Sequence, residues 1–387
     1  MTYVNENKYF KDTINEELGK LGYKELVDEN SSNNIYFCDI DYNNRKDQNY
    51  EKCQIVNQLE NVNPLGNKKD QYNIHMDYFK ERPEYMPYTM SFRKDKLKEV
   101  DKLLGQFNKA YIVKPENDSF RNGCGIVRNR EELRNHLDEF EMYDDWIIQD
   151  YIDDPLLINN RKFHFRIYVI YIQSSEWQAA YLSRVGFIYT ANKPFQKGTF
   201  DLDVVLSGES SPSNVYYVPE DFHKNFGKDK WDNLVLPQIV KITRETLMST
   251  IDRLKCPNSK QKCFKILGYD ILINKDYQLY LAEINARGVT YKYPNEQFLD
   301  SFYRNILKLV LPREPLNNAE LKDQNLPYER ILYKKNGALT EHFANPDSVV
   351  DESKIDNNIK FNNFYWKLVY PFMILVFVLI LIQLFVK

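Results

Sequence analysis

The chain has 387 residues, 43% of them hydrophobic and 14% aromatic, which indicates a globular protein of two or three lobes and excludes a largely disordered one. Its formal net charge of −3 gives no overall basis for binding nucleic acid, so any anion site must come from local clusters of charge. The five cysteines, among them Cys256 and Cys263, are odd in number and form no CxxC zinc motif. We therefore predict that they are free thiols in a reducing compartment.

Helical and strand-like patterns alternate along the first hundred residues, where no chemistry stands out. A helical pattern covers residues 10–21, a strand-like pattern covers 35–40, and a second helical pattern at 95–107 leads into the next unit. The polar and acidic N-terminus does not have the features of a secretory signal. We predict an N-terminal lobe over residues 1–105.

Strand patterns dominate the next part of the chain, which favours an α+β fold built on mixed or antiparallel sheets. A polar loop region at about 193–226 follows these strands, and helical patterns cover about 234–254 and 296–311. The predicted strands are AYIVKP (110–115), WIIQDYI (146–152), KFHFRIYVIYIQ (162–173) and AAYLSRVGFIYT (179–190).

The C-terminal part of the sequence resembles a membrane anchor. Residues 368–386 run for 19 residues without a charge, which as a helix is roughly 28 Å and close to the roughly 30 Å hydrocarbon core of a bilayer. Trp366 and Lys367 flank this run as interfacial residues. We predict a single-pass tail anchor at 365–387 that leaves the bulk of the protein facing the cytosol; the alternative is a buried core helix.

A predicted β-hairpin between residues 264 and 285 carries acids in an unusual place. With a short loop at 275–278, Asp270 lies opposite Glu283, and Asn285 follows on the same face of the second strand. The alternation also places Leu272, Leu279 and Leu281 on the acidic face. The opposite face is predicted to hold Tyr269, Ile271 and Ile273 from the first strand and Tyr280, Ala282 and Ile284 from the second.

The paired acids of this hairpin indicate a metal site. Two carboxylates in one cross-strand pair repel each other, so a fold that keeps Asp270 beside Glu283 gains from a cation between them. Together with Asn285 they supply three oxygen ligands and no Cys or His, which suits Mg²⁺ held partly by substrate phosphates. The alternative is a solvated hairpin face.

A loop between two apolar strands, at residues 111–127, is a candidate phosphate site. It places Lys114 at the end of a buried strand and offers backbone N–H groups and cations to an anion. The loop lacks the ending of a P-loop, and no Rossmann glycine pattern precedes a helix, so those two nucleotide folds are disfavoured. An ordinary hairpin turn is the alternative. The candidate residues of the loop are Ser119, Arg121, Gly123 and Gly125.

Two further strands contribute candidates. Lys162, His164 and Arg166 alternate onto one face of their strand, opposite a core-facing apolar stripe, and Arg184 of the following strand is a fourth cationic candidate. The strand ending at Gln149 offers backbone groups and apolar walls for a planar ring. The alternatives are a solvated strand face for the first and a core strand for the second.

The order of these features resembles the ATP-grasp architecture, in which two lobes clasp ATP, and more narrowly the tubulin tyrosine ligase-like family. The resemblance covers roughly residues 50 to 310. The segments that carry it are YIVKP (111–115), RNGCGI (121–126), IIQDYIDDPLLINNRKFHFRIYVI (147–170), YLSRVGFIYTANKPF (181–195) and ILGYDILINKDYQLYLAEIN (266–285).

The resemblance implies a role for each matching position. Lys114 and the Ser119–Gly125 loop would contact the phosphates of ATP. The border of adenine would be formed by Gln149, Tyr151 and Ile152. Nucleotide and the incoming substrate would be served by Lys162, Arg166 and Arg184, and Mg²⁺ would be held by Asp270, Glu283 and Asn285.

The resemblance also implies lobes and a reaction. It places a central ATP-grasp lobe at 106–155 and a C-terminal ATP-grasp lobe with the metal site at 156–315. Separately, the Pro, Asn and charged residues and the weak periodicity from residue 312 onward predict a linker at 316–364 before the anchor. The implied chemistry is ligation, in which a carboxylate is activated by ATP as an acyl phosphate and an amine then displaces the phosphate to form an amide. The implied partners are a free amino acid and tubulin, or another protein with an acidic tail.

Two positions depart from the family pattern. His164 occupies a position where the family has an acid, and no segment like the family's HLTN motif is recognisable between Arg184 and Asp270. Three functions therefore stay open: a ligase acting on tubulin, a ligase acting on another protein or peptide, and a membrane-tethered pseudoenzyme that binds nucleotide or microtubules without ligation.

Overall fold

The structure is a computed structural model that divides into two compact units, residues 1–348 and 349–387. The residues it describes are 2–5, 11–20, 22–25, 34–37, 53–98, 100, 102, 109–116, 122–208, 215–286 and 296–339. The second unit, and with it the predicted anchor at 365–387, lies outside the described residues. Among the residues that are described, no helix combines the length and the apolar character needed to cross a membrane.

The strands are numbered in chain order, and β14 and β15 form the hairpin expected from the acidic pair. The described residues form β1 Thr2–Asn5, β2 Lys24–Glu25, β3 Asn34–Phe37, β4 Cys53–Val56, β5 Thr89–Arg93, β6 Tyr111–Pro115, β7 Gly125–Val127, β8 Asp145–Asp150, β9 Leu157–Ile158, β10 Arg161–Gln173, β11 Trp177–Ser183, β12 Gly186–Thr190, β13 Val215–Val218, β14 Lys262–Ile273, β15 Leu279–Asn285, β16 Tyr328–Lys335 and β17 Ala338–Leu339.

The helices lie between and after these strands, and a π-helical turn at Trp231–Val235 joins two of them, α7 and α8. They are α1 Lys11–Lys20, α2 Asn63–Gly66, α3 Lys68–Phe79, α4 Arg130–Glu139, α5 Leu202–Val205, α6 Glu220–Phe226, α7 Lys228–Lys230, α8 Leu236–Met248, α9 Glu296–Val310 and α10 Asn318–Asp323. The region predicted as a polar loop, 193–226, thus contains α5, β13 and α6.

Two sheets organise the described residues, and they confirm the α+β class with mixed and antiparallel pairing. The larger sheet follows the order β17-β16-β11-β10-β14-β4-β3-β1-β2, with β9, β12, β13 and β15 attached beside it. The smaller sheet has the order β5-β8-β6-β7 and is antiparallel. The predicted lobe boundaries at 105 and 155 stay predictions.

One face of the long central strand β10 packs into the core, and the other face carries the candidate site. Phe163, Phe165, Ile167 and Val169 point into the main hydrophobic core, where Ile239 and Ile242 of α8 are also buried. Burying side chains of this size contributes about 1.5–3 kcal/mol each, so the core face of β10 is fixed strongly. Because side chains alternate along a strand, the polar residues between them must share the other face.

The register of the hairpin confirms one prediction and corrects another. Asp270 pairs with Glu283 as expected, but a β-bulge shifts the register beyond this pair, so that Ile271 lies opposite Leu281 and Ile273 opposite Leu279. Leu279 and Leu281 therefore lie in the main core. The prediction that placed these two leucines on the acidic side was wrong, because one extra residue in β15 inverts the alternation.

The segment after residue 316 is also different from the prediction. Residues 328–335, which the sequence assigned to a linker, form β16 and pair antiparallel with β11 along its whole length. Tyr328, Ile331 and Leu332 are buried there. The mixed polar composition of this stretch hid a strand whose apolar residues are only partly alternating.

Two cysteines are joined, contrary to the prediction of free thiols. Cys256 and Cys263 form a disulfide across the short segment that leads into β14, where their Cα atoms are 5.6 Å apart. Cys124 forms no disulfide within the part of the chain that the structure describes. The turn between α8 and β14 brings the two sulfur atoms together, which their spacing in sequence does not reveal. These two cysteines therefore do not support the prediction of a reducing compartment.

Candidate functional site

The predicted metal ligands converge on the polar face of β10, β14 and β15. Asp270 lies opposite Arg166 in the antiparallel register, and its carboxylate accepts hydrogen bonds from Arg166 Nε at 2.5 Å and Nη2 at 3.0 Å. Asn285 Nδ2 donates to Asp270 Oδ2 at 3.0 Å and to Glu283 Oε1 at 3.2 Å. The three oxygen-bearing side chains are therefore in direct contact with one another.

A lysine that was not among the predicted site residues lies beside these acids. Lys68 Nζ lies 3.5 Å from Glu283 Oε2. Lys68 is the first residue of α3, whose N-terminus is capped by Asn67, and a helix N-terminus disfavours cations. Two successive lysines, Lys68 and Lys69, at the start of a capped helix were thus a signal that a nearby anion holds them.

Burial and the neighbouring charges shift the pKa values of Asp270 and Glu283 in opposite directions. Burial, together with repulsion from Glu283, raises the pKa of Asp270 to about 7 although Arg166 opposes the shift. For Glu283, burial acts to raise the pKa, but Lys68, Lys114 and Arg166 outweigh it and lower the pKa to about 2. Glu283 therefore stays negatively charged beside Asp270, and a further cation would stabilise the pair.

The trio fits a hard divalent cation by the chemistry of its donors. Both carboxylates present oxygen atoms, and the amide of Asn285 supplies a third oxygen when it rotates, since its two ends are nearly equivalent in shape. The described residues contain no group of three His, Cys, Asp or Glu side chains suited to a metal, so a site here depends on the amide. Few protein ligands and open positions are typical of Mg²⁺ bound together with phosphate.

Two lysines, Lys162 and Lys114, contact residues at or just after the end of β8. Lys162 is buried at 3% exposure, where its Nζ donates to the carbonyl of Ile152 at 3.0 Å and lies 4.0 Å from the centre of the Tyr151 ring. Lys114 Nζ donates to Gln149 Oε1 at 3.0 Å. The residues predicted to border a planar ring thus contact Lys114, which was predicted to bind phosphate, and Lys162, which was predicted to contact nucleotide and the incoming substrate. The polar face of β10 is buried and not solvated.

Lys162 gives a pH-dependent prediction. Burial and the nearby charge of Lys114 lower its pKa to about 7, far below the value of about 10.4 for an unfolded lysine. Between these values the unfolded chain binds a proton that the folded chain does not, so stability falls as the pH is lowered from about 10 to 7 and this loss is complete below 7. Lys162→Met has no group there that can titrate. We therefore expect its free energy of unfolding to rise relative to that of the wild type as the pH is lowered over the same interval.

Urea denaturation without nucleotide at pH 6, 7.5 and 9 measures this gain. Lys197→Met is the matched control, because it makes the same change at a side chain that is 70% exposed and removes no buried amine. A difference for Lys162→Met that is equal at all three values would contradict the assigned shift.

His164 occupies the same buried face, next to the acids. Its Nδ1 lies 2.7 Å from Ser207 Oγ, and its Nε2 lies 3.7 Å from Asp270 Oδ1. Ser207 follows α5 and pairs in an isolated bridge with Ala191. The sequence reasoning missed Ser207, because only the folded chain brings it beside His164. The segment in which the family motif was not recognisable therefore does reach the site.

The remaining predicted residues are placed as follows. Arg184 lies after β11, where its guanidinium forms an ion pair with Glu329 of β16, and both side chains are largely buried. The structure thus gives Arg184 an acidic partner from the strand that the sequence took for a linker. Ser119 and Arg121 lie outside the described residues.

The two glycines of the loop are required by close packing. Gly123 has φ +65°, and a Cβ there would lie 2.7 Å from Pro115 Cγ. A Cβ on Gly125 would lie 2.5 Å from the ring of His136. The glycines therefore allow β7 to lie close to β6 and α4, which keeps the turn next to Lys114.

This packing predicts that Gly125→Ala lowers the free energy of unfolding by about 1–3 kcal/mol, the cost of overpacking a close contact. Chemical denaturation measures the loss. Gly66→Ala is the control, because a Cβ there meets only ordinary contacts of 3.7 Å or more. Equal free energies of unfolding for the two variants would show that the His136 ring moves aside without an energetic penalty.

Chemically, Lys114 and Lys162, the glycine turn and the oxygen trio form a site suited to a divalent cation and a phosphate-bearing ligand. The profile of the tubulin-tyrosine ligase family matches residues 43–207 and 219–318, which together make up more than half of the chain. The chain belongs to the tubulin-tyrosine ligase family. The matched ranges include the trio, both lysines and the loop, whereas Glu329 lies beyond them.

Three relatives illustrate the similarity. Tubulin polyglutamylase TTLL7 of Homo sapiens is 23% identical over 372 residues, which are 82% of this chain and 39% of that protein. The probable alpha-tubulin polyglutamylase Ttll1 of Tetrahymena thermophila is 26% identical over 254 residues, 59% of this chain and 60% of that protein. Tubulin glycylase 3D of the same organism is 24% identical over 218 residues, 52% of this chain and 20% of that protein. The chain thus matches only part of the length of each relative.

Proposed function

We propose that the chain is an ATP- and Mg²⁺-dependent ligase of the ATP-grasp type that joins an amino acid to a protein, with tubulin as the acceptor. The observation that carries the proposal is the convergence of Asp270, Glu283 and Asn285 beside Arg166, within residues matched by the family. A site of this kind activates a carboxylate by phosphoryl transfer, and the resulting acyl phosphate reacts with an amine to give an amide.

The residues of the chain divide this work by position. The half-buried Lys114 lies next to Gln149 and the buried Lys162 next to Tyr151, where they bind and orient the phosphates and the base of ATP. Arg166 holds Asp270 in a two-point hydrogen bond, which fixes the direction of the metal-binding oxygens. When bound, Mg²⁺ offsets negative charge on the transferred phosphoryl group.

The names of the relatives support tubulin as the acceptor. Those compared above carry the names tubulin polyglutamylase and tubulin glycylase, so the amino acids to test first are glutamate and glycine, with tyrosine from the family name. The experiment incubates the full-length chain with tubulin, ATP, Mg²⁺ and each labelled amino acid. We expect incorporation of one of them that requires ATP. Failure of all three beside an active control ligase would contradict tubulin as the acceptor, and incorporation into another protein would redirect the proposal to that acceptor.

A second candidate is favoured by His164. An imidazole beside Ser207 and Asp270 offers different chemistry from the acid of the family pattern, and a pseudoenzyme that binds nucleotide or microtubules without ligation would tolerate it. His164→Asp separates the two functions. If the wild type binds ATP without ligating and the Asp variant gains incorporation, the chain is a pseudoenzyme; if the wild type ligates, the second candidate is wrong.

We also propose that the chain is held at a membrane as a single-pass protein with its ligase part facing the cytosol. The support is the uncharged run at 368–386 with its flanking Trp366 and Lys367, which lies outside the described residues. Carbonate extraction of the full-length chain should leave it in the membrane pellet. Release into the supernatant would contradict a spanning helix.

A further inference from the structure

His136 contacts both glycines of the loop. Its Nε2 lies 2.8 Å from the carbonyl oxygen of Gly123, and because a carbonyl only accepts, the ring nitrogen is the donor. The same ring lies against Gly125, where a Cβ would meet three of its atoms at 2.5–2.9 Å. One side chain thus contributes both a hydrogen bond to the turn and a surface against which it packs.

The ring of His136 is itself held in place. It makes an edge contact with Trp146 at 5.6 Å between ring centres and a tilted contact with Phe140 at 5.0 Å. Trp146 is fully buried and donates from Nε1 to the carbonyl of Tyr143. A rigid aromatic support therefore fixes the direction in which His136 donates.

The helix that carries His136 is anchored at its start. Asn129 caps α4 by accepting from the backbone N–H of Glu132, and the Glu132 carboxylate accepts from the N–H of Arg128. Leu133 and Leu137 of α4 are buried in the core of the smaller sheet. His136 lies on this anchored helix, so its position is set by the fold and not by the loop.

On the other side the turn meets the strand that bears Lys114. A Cβ on Gly123 would meet Pro115 at 2.7 Å and Tyr143 at 3.2 Å, and Gly125 pairs with Val113 in the ladder between β6 and β7. The turn is thus enclosed between β6 and the His136 ring. Its backbone N–H groups keep a fixed relation to Lys114, which lies between Val113 and Pro115.

We propose that His136 is a positioning residue that holds the Gly123–Gly125 turn ready for a phosphate-bearing ligand. The inference deepens the proposed function and rests on it, because the turn has a ligand to meet only if the site binds nucleotide. His136 touches no reacting atom; it acts through the backbone of the turn. Loss of its hydrogen bond therefore weakens nucleotide binding and leaves the chemical step unchanged.

The first measurement is hydrogen exchange without nucleotide, followed by mass spectrometry of peptides that contain residues 122–127. His136→Phe keeps an aromatic ring and removes the donor, and we expect exchange in these peptides to be about threefold to tenfold faster, the factor for one hydrogen bond. His136→Gln places an amide donor at a similar reach and should exchange like the wild type. Asn135→Ala, at an exposed position of the same helix, is the control.

The second measurement is the affinity of the full-length variants for a non-hydrolysable ATP analogue with Mg²⁺. We expect about threefold to tenfold weaker binding for His136→Phe, near wild-type binding for His136→Gln, and in turnover a raised KM for ATP with kcat within twofold. Thermal melts verify that each variant is folded.

The outcomes separate this proposal from the proposed function. Equal exchange in wild type and His136→Phe overturns the role of His136 whatever the nucleotide data show. Faster exchange with unchanged affinity overturns the link between the turn and nucleotide. A wild type that binds no nucleotide overturns the proposed function, and the exchange experiment alone then decides whether His136 holds the turn.

Discussion

Glu283→Gln should reduce the rate of amino-acid incorporation by at least about 100-fold, the scale on which loss of one charge-stabilising group slows an enzyme. The change keeps the size of the side chain and removes the negative charge that faces Lys68, Asn285 and the predicted cation. The remaining carboxylate, Asp270, is already held by Arg166 and cannot replace the lost charge. The measurement is labelled incorporation by the full-length chain at saturating ATP and Mg²⁺.

Glu176→Gln is the control for this loss, because Glu176 is exposed in the turn between β10 and β11 and should keep wild-type activity. A melting temperature close to that of the wild type shows that the Glu283 variant is folded. Activity of the Glu283 variant within threefold of the wild type would show that this carboxylate does not hold the cation.

Arg166→Met should lower the free energy of unfolding by about 3–5 kcal/mol near pH 8, the cost of breaking a buried ion pair by removing one partner. The Arg166 side chain is 7% exposed and the Asp270 side chain 11%, so the remaining carboxyl group would be left buried next to Glu283 without its cationic partner. Urea denaturation without nucleotide or Mg²⁺ measures the change.

The pH gives a second test of the same variant. The pKa of Asp270 is already raised in the folded protein, and loss of Arg166, which opposes that rise, would raise it further. A raised carboxyl pKa means that the folded state binds the proton more tightly, so the penalty shrinks as the pH falls and the carboxyl becomes neutral. We therefore expect a smaller loss of stability at pH 5 than at pH 8.

Arg93→Met is the matched control for Arg166→Met. Arg93 pairs with Asp95 at the surface, where the side chains are 50% and 63% exposed, and such pairs contribute about 0–1 kcal/mol. A loss below 1 kcal/mol for Arg166→Met as well would contradict the view that Arg166 and Asp270 form a buried charged pair.

Short-range pattern was enough to predict the polar face that carries the site. Strict alternation in β10 placed Lys162 and Arg166 on one face, as the structure confirms. This feature depends only on the period of a strand. Asp270 also lies opposite Glu283 as predicted, but a β-bulge separates this pair from the pairs nearer the hairpin loop.

The parts that the sequence missed depend on distant contacts or on one inserted residue. The β-bulge in β15 reversed the faces of Leu279 and Leu281, and nothing in their neighbours announces it. Ser207 reaches His164 from 43 residues away. Such contacts are set by how separate segments pack, which alternation cannot show.

The acidic partner of Arg184 shows the same limit. Glu329 reaches it only because β16 joins the sheet beside β11, and β16 has little of the clean alternation that predicts a strand. Local pattern therefore identified Arg184 as a cationic candidate but gave no sign of the carboxylate that holds it.

The proposed function requires that Asp270, Glu283 and Asn285 bind a divalent cation that also contacts ATP. Calorimetric titration of the full-length wild type with a non-hydrolysable ATP analogue, in Mg²⁺ and in EDTA, measures this coupling. We expect binding at least about tenfold tighter in Mg²⁺, on the scale by which ligand groups change metal affinity, and loss of this difference in Glu283→Gln. Equal affinity of the wild type for the analogue in Mg²⁺ and in EDTA would show that the three residues hold no cation that contacts ATP.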